Sequence, residues 1–427
     1  MFRKTYADIL IDNLEYNITQ IRNHLSPGTF FCPMVKANAY GHGDVAVAKA
    51  LEIMGVQSMG VCLIEEGLLL RQFGVNAEIL VFRGFDLNGA RRILEQKLTP
   101  VVSDWSHFEA LDQIVGRGSS LPEFCQIHIK FNTGMNRLGF ELDEAQEVLE
   151  YVKERKKFQV RGILTHLYKG EDGIHSEGRT AEQLRRFSEL RVVFGSLNPI
   201  FHALNSGGVL SQIQLKKYGH VNAPLTTFPW GVRPGLMIYG YNPLDNAEMN
   251  YFERPDLNLQ TQTEAWNFSL KPVMTLKSSV SVFRSVPRGE GVSYNHTWKA
   301  SRDSVIAVVP IGYADGLHRI LSNNTSVLFG GKRVPIVGNI CMDFLMLDVT
   351  DIEFAQGQVK TQKLNSAKKA SAEAEVVFFG EDALGNRLSA AEQARAAGTI
   401  SWEVLTSIGE RVPRVYHSTN KKILELL

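Results

Sequence analysis

The 427-residue chain predicts an α/β protein, a (β/α)8 barrel of the TIM type followed by a C-terminal mainly-β domain. Three observations carry this reading. From about residue 30 to 245, eight short β-rich runs alternate with amphipathic stretches. The first run is not followed by a GxGxxG segment, which disfavours the open doubly wound sheet. After about residue 250 the alternation stops and strand-like runs succeed one another.

Taken in order, the barrel strands are FFCPMVKA, SMGVCLI, EILVFRG, TPVVSD, CQIHIKF, VRGILTH, IFHALNS and RPGLMIYG. Between them, stretches such as DVAVAKALEIMG, NGARRILEQKL, DEAQEVLEYVKERK and AEQLRRFSELRVV repeat apolar residues at helical spacing. A polar, irregular stretch follows, RPDLNLQTQTEAWNFS. Then come the β runs LKSSVSVFRSV, SVIAVVPIGYA, TSVLFGG, RVPIVGN, FLMLDV and EVVFFG. The division is therefore 1–250 for the barrel, its first few residues free to join the β domain, and 251–427 for the β domain. A stretch near 356–374 is poor in apolar residues and reads as a surface insertion.

Composition excludes several classes. Lys+Arg 46 against Asp+Glu 45 leaves a net charge of +1, so no nucleic-acid or membrane surface is indicated. Uncharged apolar runs stay below the roughly 18 residues of a membrane span. The start turns acidic and polar too soon for a secretory signal. The four cysteines lie far apart with no CxxC pair, which argues against a zinc site or other metal centre and against a disulfide framework. A cytoplasmic location is the default expectation.

In a barrel, functional side chains come from the C-terminal ends of strands. Those ends supply Lys36, Lys130 with the following GMNRLG, His166, Asn205 with Ser206, and Arg233. They belong to different strands yet converge on one mouth. A lysine at the end of a buried strand leaves water at a cost, which is offset only if its amine is used. Standing alone, Lys36 would read as a snorkelling lysine, NSGG as a turn, and His166 as a satisfied core histidine.

The motif VKANAYGHG resembles the pyridoxal-phosphate attachment motif of the alanine racemases. KFNTGMNRLGF, GILTHL, HALNSG, VRPGLMIYG, GEGVSYNHTW, PIGYADG, CMDFLMLDV and RVPRVY continue that resemblance in the family's order along essentially the whole chain. It implies pyridoxal 5'-phosphate as cofactor, an L-/D-alanine interconversion that supplies D-alanine for peptidoglycan, and a homodimer with composite active sites. Lys36 is similar to the attachment lysine and first base, and Tyr294 to the second base, which racemisation needs on the opposite face. Tyr40, Asn205, Ser206, Gly235 and Leu236 resemble the phosphate cradle, where backbone N–H groups beside small residues suit an anion.

Arg233 matches the arginine placed against the pyridine nitrogen; a guanidinium does not readily give up its proton, so the ring stays a weaker electron sink. Related barrel decarboxylases carry an acid there. His166 resembles a histidine that contacts that arginine. Arg137, Tyr313, Met342 and Asp343 resemble substrate-side groups, an arginine being suited to a carboxylate. Lys130 matches a position often carbamylated, with its state here open. Tyr294, Tyr313, Met342 and Asp343 all lie in the β domain, which the family uses to complete the other subunit's site.

Three positions depart from the family pattern: Asn132 stands for an aspartate, Asn295 for a glycine, and Glu410 for a phosphate-binding tyrosine. Glu410 is expected to point away from the phosphate. Rival readings are a racemase of serine or broader specificity, and a cofactor-binding protein without catalysis.

Overall fold

The computed structural model describes residues 3–117, 121–174, 178–217, 228–243, 269–352 and 375–425. The polar stretch at 356–374 and the division between 250 and 251 lie outside these residues. The barrel sheet is parallel, with strands β2 (Ser58–Val61), β3 (Glu78–Val81), β4 (Thr99–Val102), β5 (Cys125–Lys130), β6 (Phe158–Leu164), β7 (Ile200–Leu204) and β8 (Gly231–Val232) in sequence order. β2 and β4 are fully buried, as helix-covered parallel strands require, while β5 and β6 expose Gln126, Gln159 and Arg161.

Residues 30–35, the first expected strand, close the ring. Phe31 bridges Val232 and Met34 bridges Gly60, both in parallel. Cys32 donates to the Val232 carbonyl, and Val35 to that of Gly60, each at 2.9 Å. The eighth expected strand needs correction. RPGLMIYG contributes no strand; pairing ends at Val232, and Leu236–Tyr239 form a 3-10 turn. The apolar run suggested a strand, but Pro234 has no N–H to give a ladder.

The β domain is built on a sheet in the order β15 (Lys332–Pro335), β14 (Ser326–Phe329), β17 (Glu375–Glu381), β9 (Met274–Ser279), β1 (Tyr6–Leu10) and β19 (Arg414–His417). β1 comes from the opposite end of the chain. It pairs antiparallel with β9 and parallel with β19, Ala7 opposite Arg414. A second sheet orders β10 (Val282–Val286), β13 (Ser304–Val309) and β16 (Leu345–Asp348). One apolar cluster runs from Ile9 and Leu276 in the β domain through Tyr239 to Val61 and Ile129 in the barrel, so the two units share a core.

Candidate active site

The mouth of the barrel holds a cavity of about 700 Å³. Lys36, Tyr40, Lys130, Arg137, His166, Asn205, Ser206, Arg233, Gly235 and Leu236 all line it, so the expected barrel residues do come together.

Lys36 opens an unusual turn. Ala37, Asn38, Ala39 and Tyr40 have φ between 51° and 54°, four consecutive left-handed residues. For L-residues this costs about 1–2 kcal/mol each, so the surroundings must impose it. They do so from several sides. Glu66 accepts from Ala37 N–H at 2.7 Å, while its other oxygen holds Cys62 and Leu63. Arg414 donates to the Gly41 carbonyl at 2.9 Å. Gly41, at φ +82°, lies where a Cβ would sit 2.2 Å from the Leu405 carbonyl oxygen. The glycine lets the C-terminal helix Ser401–Thr406 press on the turn, which aims Lys36 inward.

The opposite wall is an anion cradle. Ser206 Oγ accepts from Gly235 N–H at 2.9 Å and from Met237 N–H at 3.4 Å. Ser206 also opens the helix Ser206–Lys217, and Asn205 Oδ1 accepts from Gly208 N–H at 3.0 Å to cap it. A Cβ on Gly235 would fall 2.3 Å from the Tyr40 hydroxyl, so this glycine keeps the cradle open. A helix N-terminus, a serine, a tyrosine hydroxyl and the side-chain-free backbone at Gly235 fit a phosphate.

Arg233, 4% exposed, forms the polar floor. Its Nη1 meets His202 Nδ1 at 2.8 Å and donates to the His202 carbonyl at 2.8 Å; Nη2 donates to the Thr165 carbonyl at 2.6 Å. Burial lowers its pKa to about 10, which still leaves it charged at neutral pH. Its hydrogen-bonded histidine is His202, a strand residue that motif reading passed over. Its signal was an isolated polar residue at an inward position of IFHAL. His166 lines the cavity and stays neutral, because burial and then Arg233 hold its pKa well below the ordinary value. Lys130 is buried, and desolvation followed by Arg137 and Arg233 lowers its pKa to about 8.

The β-domain residues lie elsewhere. Tyr294, Tyr313 and Met342 are exposed, none lines the cavity of its own chain, and Asp343 pairs with Arg411 at 2.7 Å. Glu410 lines a separate cleft beside Asn38 and Gly43. The loop at Tyr294 is strained: Ser293 has φ +64° and ψ −173°, a region nearly reserved for glycine. Asn295 sits at φ +62°, ψ 7°, which asparagine tolerates, so it can stand where the family pattern has glycine. Asn132 is likewise accommodated: its amide donates to Glu141 at 2.8 Å, where an aspartate would repel.

A parallel barrel with an amine, a phosphate-sized cradle and a buried arginine at one mouth, joined to a β domain, defines a class of barrel enzyme fitted for a phosphorylated organic cofactor. The alanine racemase N-terminal domain model matches residues 9–243, and the C-terminal domain model residues 273–416. The alanine racemase of Sorangium cellulosum is 36% identical, covering 97% of this chain and 99% of that one. The alanine racemase of Thermodesulfovibrio yellowstonii is 34% identical over 97% and 98%. Among solved structures, alanine racemase from Clostridium difficile superposes with TM-score 0.79 at 30% identity, covering 98% of this chain and 97% of that one. That from Bartonella henselae, with covalently bound pyridoxal phosphate, gives 0.75 at 27% identity over 97% and 99%. The chain belongs to the alanine racemase family.

Proposed function

We propose that this chain interconverts L- and D-alanine on pyridoxal 5'-phosphate, with Lys36 and Tyr294 of the partner subunit as the two bases. The observation that carries it is the convergence of Lys36, the Ser206–Gly235 cradle and Arg233 in one cavity, in a chain of this family. When bound, the cofactor supplies an electron sink that acidifies the substrate's α-hydrogen. The remaining work falls to the protein.

Tyr40, Asn205, Ser206, Gly235 and Leu236 would hold the phosphate. Arg233 would serve the ring nitrogen as a donor that keeps its proton. Lys36 Nζ takes or returns the α-hydrogen on one face, and the hydroxyl of Tyr294 serves the other, because one base cannot reach both. His166 is a neutral neighbour on the tyrosine's side. Arg137 binds the substrate carboxylate at the mouth, with Tyr313, Met342 and Asp343 supplied across the dimer. The exposure of Tyr294, Tyr313 and Met342 on one chain supports a shared site: they are available to a second copy and useless to their own cavity.

Lys130 stands among Arg137, Arg233 and Lys36, and a carbamate on its amine would place an anion among these cations. The product would supply D-alanine for peptidoglycan, in keeping with a cytoplasmic enzyme; no described helix is long and apolar enough to cross a membrane.

The test is α-hydrogen exchange in deuterium oxide, run separately on L- and D-alanine and on both enantiomers of serine. Label entry from both alanine enantiomers with inversion is expected. Faster turnover of serine would replace alanine as substrate, and cofactor binding without exchange would leave only a binding protein.

A further inference from the structure

The Arg233 guanidinium heads a chain of polar side chains that runs through the barrel to its other end. His202 on β7 receives Arg233 Nη1 at its Nδ1, and its Nε2 lies 2.8 Å from Nδ1 of His128 on β5. A guanidinium has donors only. His202 Nδ1 must therefore accept, so its hydrogen sits on Nε2. That hydrogen obliges His128 Nδ1 to accept in turn, which leaves the His128 hydrogen on Nε2. Both rings are buried, at 0% and 1% exposure, so neither tautomer is set by solvent.

The chain ends at an unmatched donor. His128 Nε2 is buried without a hydrogen-bond partner, 3.9 Å from Oε1 of Glu78 on β3. Glu78 is itself fixed: Ser58 donates to Oε2 at 2.7 Å and Thr99 to Oε1 at 3.2 Å. Its carboxylate borders a basal cavity of about 750 Å³, which His128 also lines. At that separation Oε1 faces the buried donor as an ion-pair neighbour, held in place by Ser58 and Thr99. The backbone makes room for these rings. A Cβ on Gly162 would fall 2.2 Å from His128 Nδ1, and one on Gly231 would fall 2.6 Å from His202 Cβ. Two glycines inside strands, where glycine weakens pairing, mark the rings as built into the barrel.

We propose that Glu78 is a positioning residue for Arg233, acting through His128 and His202 as a hydrogen-bond relay of one fixed direction. The relay holds the guanidinium plane at the cavity floor. Its effect on turnover rests on the reading of Arg233 given above; the tautomers do not.

The test compares Glu78→Leu, which removes the acceptor, with Glu78→Gln, which keeps an acceptor oxygen without the charge. The first readout is the ¹⁵N spectrum of the histidine-labelled protein, with and without cofactor. His202 and His128 are expected to carry hydrogen on Nε2 and to show hydrogen-bonded, bare Nδ1. Glu78→Leu should move the His128 signals. In the holoenzyme it should lower kcat for alanine about tenfold with KM within about twofold, and weaken pyridoxal phosphate binding; Glu78→Gln should recover to within about threefold. A wild-type His202 protonated on Nδ1 overturns the relay without any variant, so failure of Glu78→Leu to fold leaves the test intact. Unchanged kcat and spectrum in Glu78→Leu, or equal damage from Gln and Leu, also overturns it. A wild-type protein that shows the expected tautomers yet does not racemise alanine would refute the functional reading and leave the relay standing.

Discussion

The barrel half of the site and the β-domain half are built in opposite ways. Around Lys36 and Arg233 the groups are buried, hydrogen-bonded and enclosed in a cavity. Around Tyr294 they are exposed, on a loop whose Ser293 and Asn295 hold positive φ. Preorganised donors are worth most in a dry site. An exposed tyrosine on a strained loop gains that environment only when another surface covers it. The difference teaches that the buried groups are set within one chain, whereas the exposed ones wait for a covering surface, which under the proposed function is a second copy.

The largest effect should come from the barrel half. Lys36→Ala is expected to abolish racemisation and the visible absorption of lysine-bound pyridoxal phosphate, read by spectrophotometry of the purified protein. An undiminished band would remove Lys36 from its role. Next comes the β-domain half. Tyr294→Phe should keep cofactor and dimer but lose α-hydrogen exchange from one enantiomer far more than from the other; equal loss from both would break the two-base assignment.

Mixing the two variants tests how the halves combine. Random exchange makes about half the dimers mixed, each with one good site of two, so activity should recover to roughly a quarter of wild type by site counting. With subunit exchange shown by native mass spectrometry, absence of recovery would place both bases in one chain's site.

Smaller effects sharpen the contrast. Gly41→Ala puts a Cβ at φ +82° against the Leu405 carbonyl, and should cost about 1–3 kcal/mol of stability, seen as a lower denaturation midpoint. Lys130 gives a pH signature. Its folded pKa of about 8 lies below the ordinary 10.5, so the folded protein disfavours the charged amine. For the unmodified lysine, the penalty is full below about pH 8 and fades as pH rises toward 10.5. Carbon dioxide adds to the neutral amine, so carbamate at Lys130 in bicarbonate buffer should increase from pH 7 to 8.5. Mass spectrometry of the intact protein, with Lys130→Ala as control, reads it.

Much of this was legible in the sequence because apolar strand runs and terminal polar residues obey simple rules. Lys36, Ser206 and Arg233 end their runs and could be placed at one mouth. The 3-10 turn at Leu236–Tyr239 was not legible, since its four apolar residues look like a strand until Ser206 is seen to take the Gly235 and Met237 N–H groups. His128 and His202 were hidden for a related reason: one histidine inside CQIHIK or IFHAL looks like an ordinary core residue, and only the parallel register brings the two rings together. The left-handed turn after Lys36 was invisible as well, because VKANAY contains only one residue that favours it, and the force that imposes it comes from Glu66, Leu405 and Arg414 far along the chain.

The placement of β1 has a consequence in time. Its neighbours in the sheet are β9 and β19, and Ala7 waits for Arg414. At about 5–20 residues per second of synthesis, roughly 20–80 s separate the emergence of the two strands. Until β9 is made, Ala7 and Ile9, both fully buried in the finished protein, have no strand to pair with, and the edge that β19 covers stays open until synthesis is nearly complete. The barrel strands, by contrast, meet their neighbours within a few dozen residues. Consecutive barrel strands can therefore pair before the last strand of the closing sheet is made, whereas Leu405 and Arg414, which impose the turn after Lys36, arrive only at the end of synthesis.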